Sequence, residues 1–157
     1  MLLRPATETD LPALVRLSSS VQELHAWHVP AHIKMPSPDP GCADLFRESL
    51  AQPVACLVVA EEAQSIVGYF FAQEVKREES WIRPALRLFM LEHIAVDPVF
   101  RRKGIGHALM TRFFDEALRR EIGRAELVCW NFNEEASQFF RRHGFTGLHA
   151  RLERKVI

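Results

Sequence analysis

Residues 91–110, LEHIAVDPVFRRKGIGHALM, constrain the fold more than any other stretch of the chain. The apolar run at residues 88–96 has the length and composition of a buried strand. It meets a turn signal at Asp97-Pro98 and then a basic, glycine-punctuated loop, Arg101-Arg102-Lys103-Gly104-Ile105-Gly106. Helical periodicity begins at once, through Ala108, Leu109, Phe113 and Leu118. A strand, a glycine loop and a helix start in this order bring free backbone N–H groups and the positive end of a helix dipole to one place. Such a place binds phosphate. A plain tight turn is the competing reading of a Gly-x-Gly. The P-loop spacing is absent, and Leu109 stands where a dinucleotide fingerprint needs its third glycine.

The flanking sequence predicts a mixed α/β domain. Residues 2–6 read as an edge strand, a position that Pro5 supports, and Thr9 or Asp10 as the cap of a helix with Pro12 early and Leu11, Leu14, Val15, Leu17 and Val21 on its apolar face. That helix extends toward Trp27. Pro30, Pro36, Pro38, Pro40 and Gly41 then break the chain, and a short helix covers residues 43–51. Residues 55–60, 66–75 and 85–96 read as an antiparallel meander, with Gly68 marking a bulge or a close contact. After the helix that follows Gly104, residues 125–130 form a strand that the crossover rule sets parallel to the 88–96 strand. Asn133 caps a last helix closed by His143-Gly144, and residues 145–156 supply one or two final strands.

Composition excludes several classes. Lys+Arg and Asp+Glu balance at 20 each, without the basic excess of a dedicated nucleic-acid binder. Cys42, Cys56 and Cys129 are odd in number and form no CxxC pair, which argues for reduced thiols and against a disulfide or zinc framework. His25, His28 and His32 lie close together, but no ligand pattern joins them into a metal site. No apolar run approaches the ~18 residues of a membrane span, and Arg4, Glu8 and Asp10 stand where a signal peptide needs its apolar stretch. The chain reads as one soluble, cytoplasmic domain over residues 1–157.

Arg101-x-x-Gly104-x-Gly106, between a strand and a helix, resembles motif A of the GNAT superfamily of acetyltransferases. Asn133-x-x-Ala136-x-x-Phe139-Phe140-x-x-x-Gly144-Phe145 is similar to that family's other cofactor-side motif, and Arg4-Pro5-Ala6-x-x-x-Asp10 to its usual opening. Together these matches span residues 2–146. The resemblance implies a mixed, mostly antiparallel sheet of six to seven strands with a splayed central parallel pair and about four helices. It implies acetyl-CoA, or another acyl-CoA, as cosubstrate, with no metal. The amides of Arg102, Lys103, Gly104, Ile105, Gly106 and His107 would cradle its pyrophosphate, beside Arg101. Asn133 would contact the pantetheine arm, which would pair with the strand backbone near Ile94 and Val96. The N–H of Ile94 would polarise the thioester carbonyl.

Transfer to an amine needs a neutral nucleophile, and a lysine-like amine is only about 1 part in 2500 neutral at pH 7. A positioned base answers that cost. Glu92 is the candidate. His93 is the runner-up, because strand alternation sends it to the other sheet face unless a bulge intervenes. Phe140 occupies the cofactor-side position where many family members carry a tyrosine that protonates the leaving thiolate. A thiol of pKa about 8.5 leaves tolerably without that acid. Cys129 reads as a small buried hydrophobe rather than an acyl carrier, so direct transfer in a ternary complex is expected. The acceptor side would draw on residues 21–35 and 76–83, with His25, Trp27, His28, His32, Glu74, Glu78 and Glu79 near it. The implied partners are an amine on a small molecule or peptide and, as in many relatives, a second copy of the chain. A non-catalytic acyl-CoA binding or sensing module is the alternative that Phe140 keeps open.

Overall fold

The computed structural model describes residues 1–37 and 41–156. Pro38 and Pro40 of the expected chain-breaking segment lie outside the described residues. Strand β1 (Leu2–Pro5) leads through a 3-10 turn into helix α1 (Leu11–His28), and α2 is Gly41–Leu50. The meander follows as β2 (Ala55–Glu62), β3 (Ser65–Arg77) and β4 (Leu86–Val96). Helix α3 (Ile105–Arg119), β5 (Ala125–Leu127) and α4 (Glu134–Arg142) complete the regular elements.

The five strands form one sheet in the order β1-β2-β3-β4-β5, antiparallel except for the parallel β4–β5 pair. The sheet is covered on both faces. Val58, Ala60, Phe70 and Phe89 pack toward α3 around Leu109, Met110 and Phe113. Leu57, Val59, Tyr69 and Phe71 pack on the other face with Leu14 and Leu17 of α1 and Phe46 of α2. Two-sided burial explains why β2 and the middle of β3 read as continuous apolar runs instead of alternating. Gly68 is a close contact: a Cβ there would lie 2.9 Å from the Ala95 carbonyl oxygen.

The strand count corrects the expectation of six to seven. β5 stops at Leu127, so Val128, Cys129 and Trp130 are not strand residues, and among the described residues 145–156 none is in a strand. The tail has the side-chain alternation of a strand, but alternation supplies no backbone partner, and a strand exists only where an edge accepts it.

The opening motif is an electrostatic clasp. Arg4 donates from Nη1 and Nη2 to both carboxylate oxygens of Asp10, at 2.7 and 2.9 Å, and from Nε to Glu61 at 2.8 Å. Asp10 also accepts from the Thr7 backbone N–H at 2.8 Å and is only 5 % exposed. The clasp ties β1 to the start of α1. The Arg4 guanidinium holds the Asp10 carboxyl below its ordinary range. A depressed carboxylate stabilises the fold above its unfolded pKa of ~3.9 and loses that contribution as pH falls below it. Asp10→Asn is therefore expected to cost about 1–3 kcal/mol at pH 7. Chemical denaturation across pH 2.5–7 should show the difference from wild type shrinking as pH falls below ~4, and disappearing only once pH has passed the lowered native pKa of Asp10, where its side chain is as uncharged as asparagine.

Candidate active site

Parallel pairing of β4 with β5 covers only Phe89↔Ala125, Met90↔Glu126 and Leu91↔Leu127. β4 runs on to Val96 without that neighbour. The strands thus part after Leu91, and among the described residues no strand pairs with the β5-facing edge of residues 92–96, Ile94 and Val96 included. Free strand edge of this kind accepts an extended chain as a substitute strand.

The loop after β4 leads directly from this edge to α3. Asp97 receives the Val99 N–H on its side chain, which starts a 3-10 turn through Phe100. Arg102 and Gly104 both adopt left-handed backbone, at φ 61° and 83°. Ala108 N–H to the Gly104 carbonyl is the first i→i−4 bond of α3. Among the described residues, no backbone N–H of residues 102–107 donates to a protein acceptor. A run of unspent amides in left-handed turns ahead of a fifteen-residue helix is an anion nest. Gly104 is required by its φ, and a Cβ there would meet nothing within 4 Å. At Gly106 an added Cβ would lie 3.3 Å from the Phe139 ring, a tight contact that Phe139 of α4 would have to relieve by a few tenths of an ångström.

The basic side chains of the loop are partly committed. Arg101 Nε donates to the Val96 carbonyl at 3.2 Å, Arg102 pairs with Glu135 at 2.9 Å, and Lys103 lies 4.8 Å over the Phe100 ring. His107 and His143 are 3.1 Å apart through Nδ1 and Nε2, and His143 Nδ1 donates to the Phe139 carbonyl. That second bond makes the His143 Nε2 of a neutral ring the acceptor and His107 the donor.

Asn133 caps α4, its Oδ1 accepting the Ala136 N–H at 3.1 Å, which leaves its two amide hydrogens for another partner. Phe140 is partly buried against Phe139 and Phe145, a packing role with no proton to give. Cys129 is half buried, and burial raises its thiol pKa, which disfavours the thiolate an acyl carrier needs.

On β4 the bulge decides the chemistry. Phe71 faces His93 while Ala72 faces Leu91, so Glu92 is the extra residue. The phase of the strand flips there. Leu91 packs toward α3, whereas His93 meets Phe46 and Phe71 on the opposite face. Glu92 and His93 consequently line one cavity of about 230 Å³, together with Glu48, Ser49, Gln52 and Gln73. Gln73 Nε2 holds Glu92 at 2.7 Å. His93 Nδ1 lies 3.3 Å from the hydroxyl of fully buried Tyr69. Burial lowers the His93 pKa, Glu92 opposes that shift, and burial raises the Tyr69 pKa, so at neutral pH the imidazole and the phenol are both uncharged.

Sequence reasoning placed the acceptor side at α1, its following loop and the β3–β4 hairpin, and it missed α2. Gln73 was the available signal: a lone amide at the end of the apolar run of residues 66–72. His25, His28 and His32 do gather, around Phe132 and Trp130, with His28 stacked on Phe132 at 4.3 Å. Trp27 is 72 % exposed and stands apart. Glu74 is taken by Arg87 at 2.7 Å and by Lys76. Among the described residues, no group of three or more His, Cys, Asp or Glu side chains is placed to hold a metal ion, and no helix is long and apolar enough to cross a membrane.

The sequence profile of the acetyltransferase (GNAT) domain matches residues 53–147, well over half of the chain. The chain belongs to the GNAT acetyltransferase family. No curated protein matches this GNAT chain significantly. Solved structures share its fold at low identity. A single-substitution mutant of the BH1408 protein from Bacillus halodurans is 20% identical, with all of both chains covered and a TM-score of 0.94. A predicted acetyltransferase with acetyl-CoA from Clostridium acetobutylicum is 20% identical over 99% of this chain and 96% of its own, with a TM-score of 0.72. The aminoglycoside antibiotic 6'-N-acetyltransferase AAC(6')-IG from Acinetobacter haemolyticus is 19% identical over all of both chains, with a TM-score of 0.72. The parted β4–β5 pair and the amide nest thus belong to an acetyl-transferring GNAT protein.

Proposed function

We propose that this chain acts as a single cytoplasmic domain that transfers the acetyl group of acetyl-CoA directly to an amine of a small-molecule or peptide acceptor. The observation that carries this reading is the continuity of the free β4 edge at Ile94 and Val96 with the unspent amides of residues 102–107. One elongated ligand with an amide-bearing arm and a diphosphate matches both ends. Acetyl-CoA supplies the acyl thioester and a thiol of ordinary acidity. Asn133 donates to the arm, and the Ile94 N–H faces the acyl carbonyl.

His93 is the base in this proposal, and the bulge at Glu92 removes the alternation argument against it. A partly buried, neutral imidazole is by its ordinary chemistry a proton acceptor well matched to neutral pH. In this proposal the Nδ1–H of neutral His93 donates to the Tyr69 hydroxyl oxygen, so the unprotonated Nε2 is the nitrogen that takes the acceptor's ammonium proton. Glu92 and Glu48 draw the cationic amine in and stabilise the imidazolium once formed. The 6'-N-acetyltransferase neighbour is named for an aminoglycoside, and a cavity with two carboxylates and no cation suits an amine of that polar, cationic kind.

The test is thiol release from acetyl-CoA with a panel of amines. Wild type is expected to turn over at least one, and His93→Gln is expected to lower kcat/KM by about 10²–10⁴-fold. The pH profile carries a second check. A base whose pKa is lowered from ~6.5 keeps its activity below that pH and loses it only as pH falls through the shifted value. His93→Gln should abolish that acid limb, while Glu92→Gln should move it further down. Phe140 favours a second reading, an acyl-CoA sensor. Calorimetric binding of acetyl-CoA without turnover of any amine would select it.

A further inference from the structure

The far wall of the gap between the parted strands has no ladder to hold it. β5 ends at Leu127, and among the described residues no backbone hydrogen bond joins residues 129–132 to another element. Rings hold the segment instead. Phe132 stacks face to face on His28 of α1, with centroids 4.3 Å apart and planes 4° from parallel. His25, one turn earlier, meets Phe132 edge-on at 5.3 Å and Trp130 at 6.5 Å, and His32 lies 5.6 Å from Trp130. The two α1 rings are themselves fixed. His25 Nδ1–H donates to the Val21 carbonyl at 2.7 Å, and His28 Nδ1–H to the Leu24 carbonyl at 2.9 Å.

Asn133 ends this anchored turn. Its backbone N–H closes the turn on the Trp130 carbonyl at 2.9 Å, and its Oδ1 caps α4 at Ala136. Both ring anchors, Trp130 and Phe132, thus belong to the turn that aims the Asn133 amide hydrogens. The clasp also spans the sheet. Leu14 and Leu17 of α1 pack on the Tyr69 and Phe71 face, whereas Phe139 and Phe140 of α4 pack on the α3 face. Residues 128–133 connect the two along the gap that opens where β4 and β5 part. His28 is exposed, and Trp130 and Phe132 are only half-buried, so the rings add little to the core and act mainly on the segment they hold. An extended ligand in the gap binds best when both walls are fixed beforehand, because ordering a loose wall on binding lowers affinity.

We propose that His28 and Phe132 are positioning residues, whose stack fixes the β5–α4 segment so that Asn133 meets the pantetheine arm of acyl-CoA. The role rests on the reading of acetyl-CoA as cosubstrate. Calorimetric titration of the full chain with acetyl-CoA tests it. Phe132→Ala is expected to weaken binding about 10-fold, the effect of ordering one or two side chains on binding. Phe132→Tyr keeps the ring and should bind within about 2-fold of wild type. His28→Ala, at an exposed position, should weaken binding about 3–10-fold while shifting Tm by no more than about 2 °C, and His28→Phe should restore it. Asn133→Ser keeps a capping oxygen but withdraws the amide donors, and should also weaken binding about 10-fold. The double variant Phe132→Ala/Asn133→Ser should bind about as well as Asn133→Ser alone, because the stack acts through the asparagine. Wild-type affinity in His28→Ala, Phe132→Ala or Asn133→Ser overturns the proposal and leaves acetyl-CoA binding itself intact. So do additive losses in the double variant, which would mean packing that is independent of Asn133. A wild type that binds no acetyl-CoA overturns this role and the proposed function together.

Discussion

Phe113→Ala is expected to lower the unfolding free energy by about 3–5 kcal/mol, the range for emptying an aromatic site in a closed core. Phe113 has no exposed surface. Its ring stacks on Phe89 of β4 at 5.0 Å and meets Phe70 of β3 edge-on at 5.8 Å. Those two strands and α3 bound the hole on several sides, so little can collapse into it. For a chain of this length each kcal/mol shifts Tm by roughly 2–4 °C, so a fall of about 6–20 °C is expected in calorimetry. Phe113→Leu keeps most of the volume and should cost clearly less. The contrast matters for the site because this contact seats α3 on the β4 segment that leads to the amide loop. A loss under about 1 kcal/mol in Phe113→Ala would mean that α3 is held by something other than this packing.

What the sequence reveals divides along physical lines. Strand and helix positions follow from apolar periodicity because burial is what makes them. β2, β3 and α3 lie within a few residues of their expected places, and the parallel β4–β5 pair follows from the crossover rule. The amide loop is equally legible, since Gly104 takes the left-handed backbone that favours glycine and Gly106 sits in tight contact with Phe139. The bulge at Glu92 is not legible. A bulge is a property of two strands in register, and β4 alone reads as an unbroken strand, so the face of His93 stayed undetermined until Phe71 and Ala72 were set against it. The same logic hid α2 from the cavity, because Glu48, Ser49 and Gln52 reach Glu92 only through tertiary packing. The final strands were overread for the converse reason. Residues 145–156 have the pattern, and pattern is a local property, whereas pairing is not.

Gly104→Glu should separate ligand binding from folding more sharply than any other single change. The position has room, since nothing lies within 4 Å of an added Cβ. Its φ of 83° charges an L-residue about 1–2 kcal/mol. A carboxylate at the N-terminus of α3 returns roughly 0.3–1 kcal/mol through the helix dipole. The fold should therefore lose only about 1 kcal/mol, read as a small shift in thermal melting. A diphosphate seated on the amides of residues 102–107 would meet that carboxylate at close range. At about 5 Å and an effective dielectric near 20, each like-charge pair opposes binding by roughly 3 kcal/mol. That repulsion corresponds to at least about 100-fold in the dissociation constant. Calorimetry should accordingly find acetyl-CoA binding to Gly104→Glu weakened by that factor and partly restored by added salt, which screens exposed charges. Gly104→Ala carries the backbone strain without the charge and should lose far less. Equal affinity for wild type and Gly104→Glu would place the diphosphate elsewhere and remove the loop from the site.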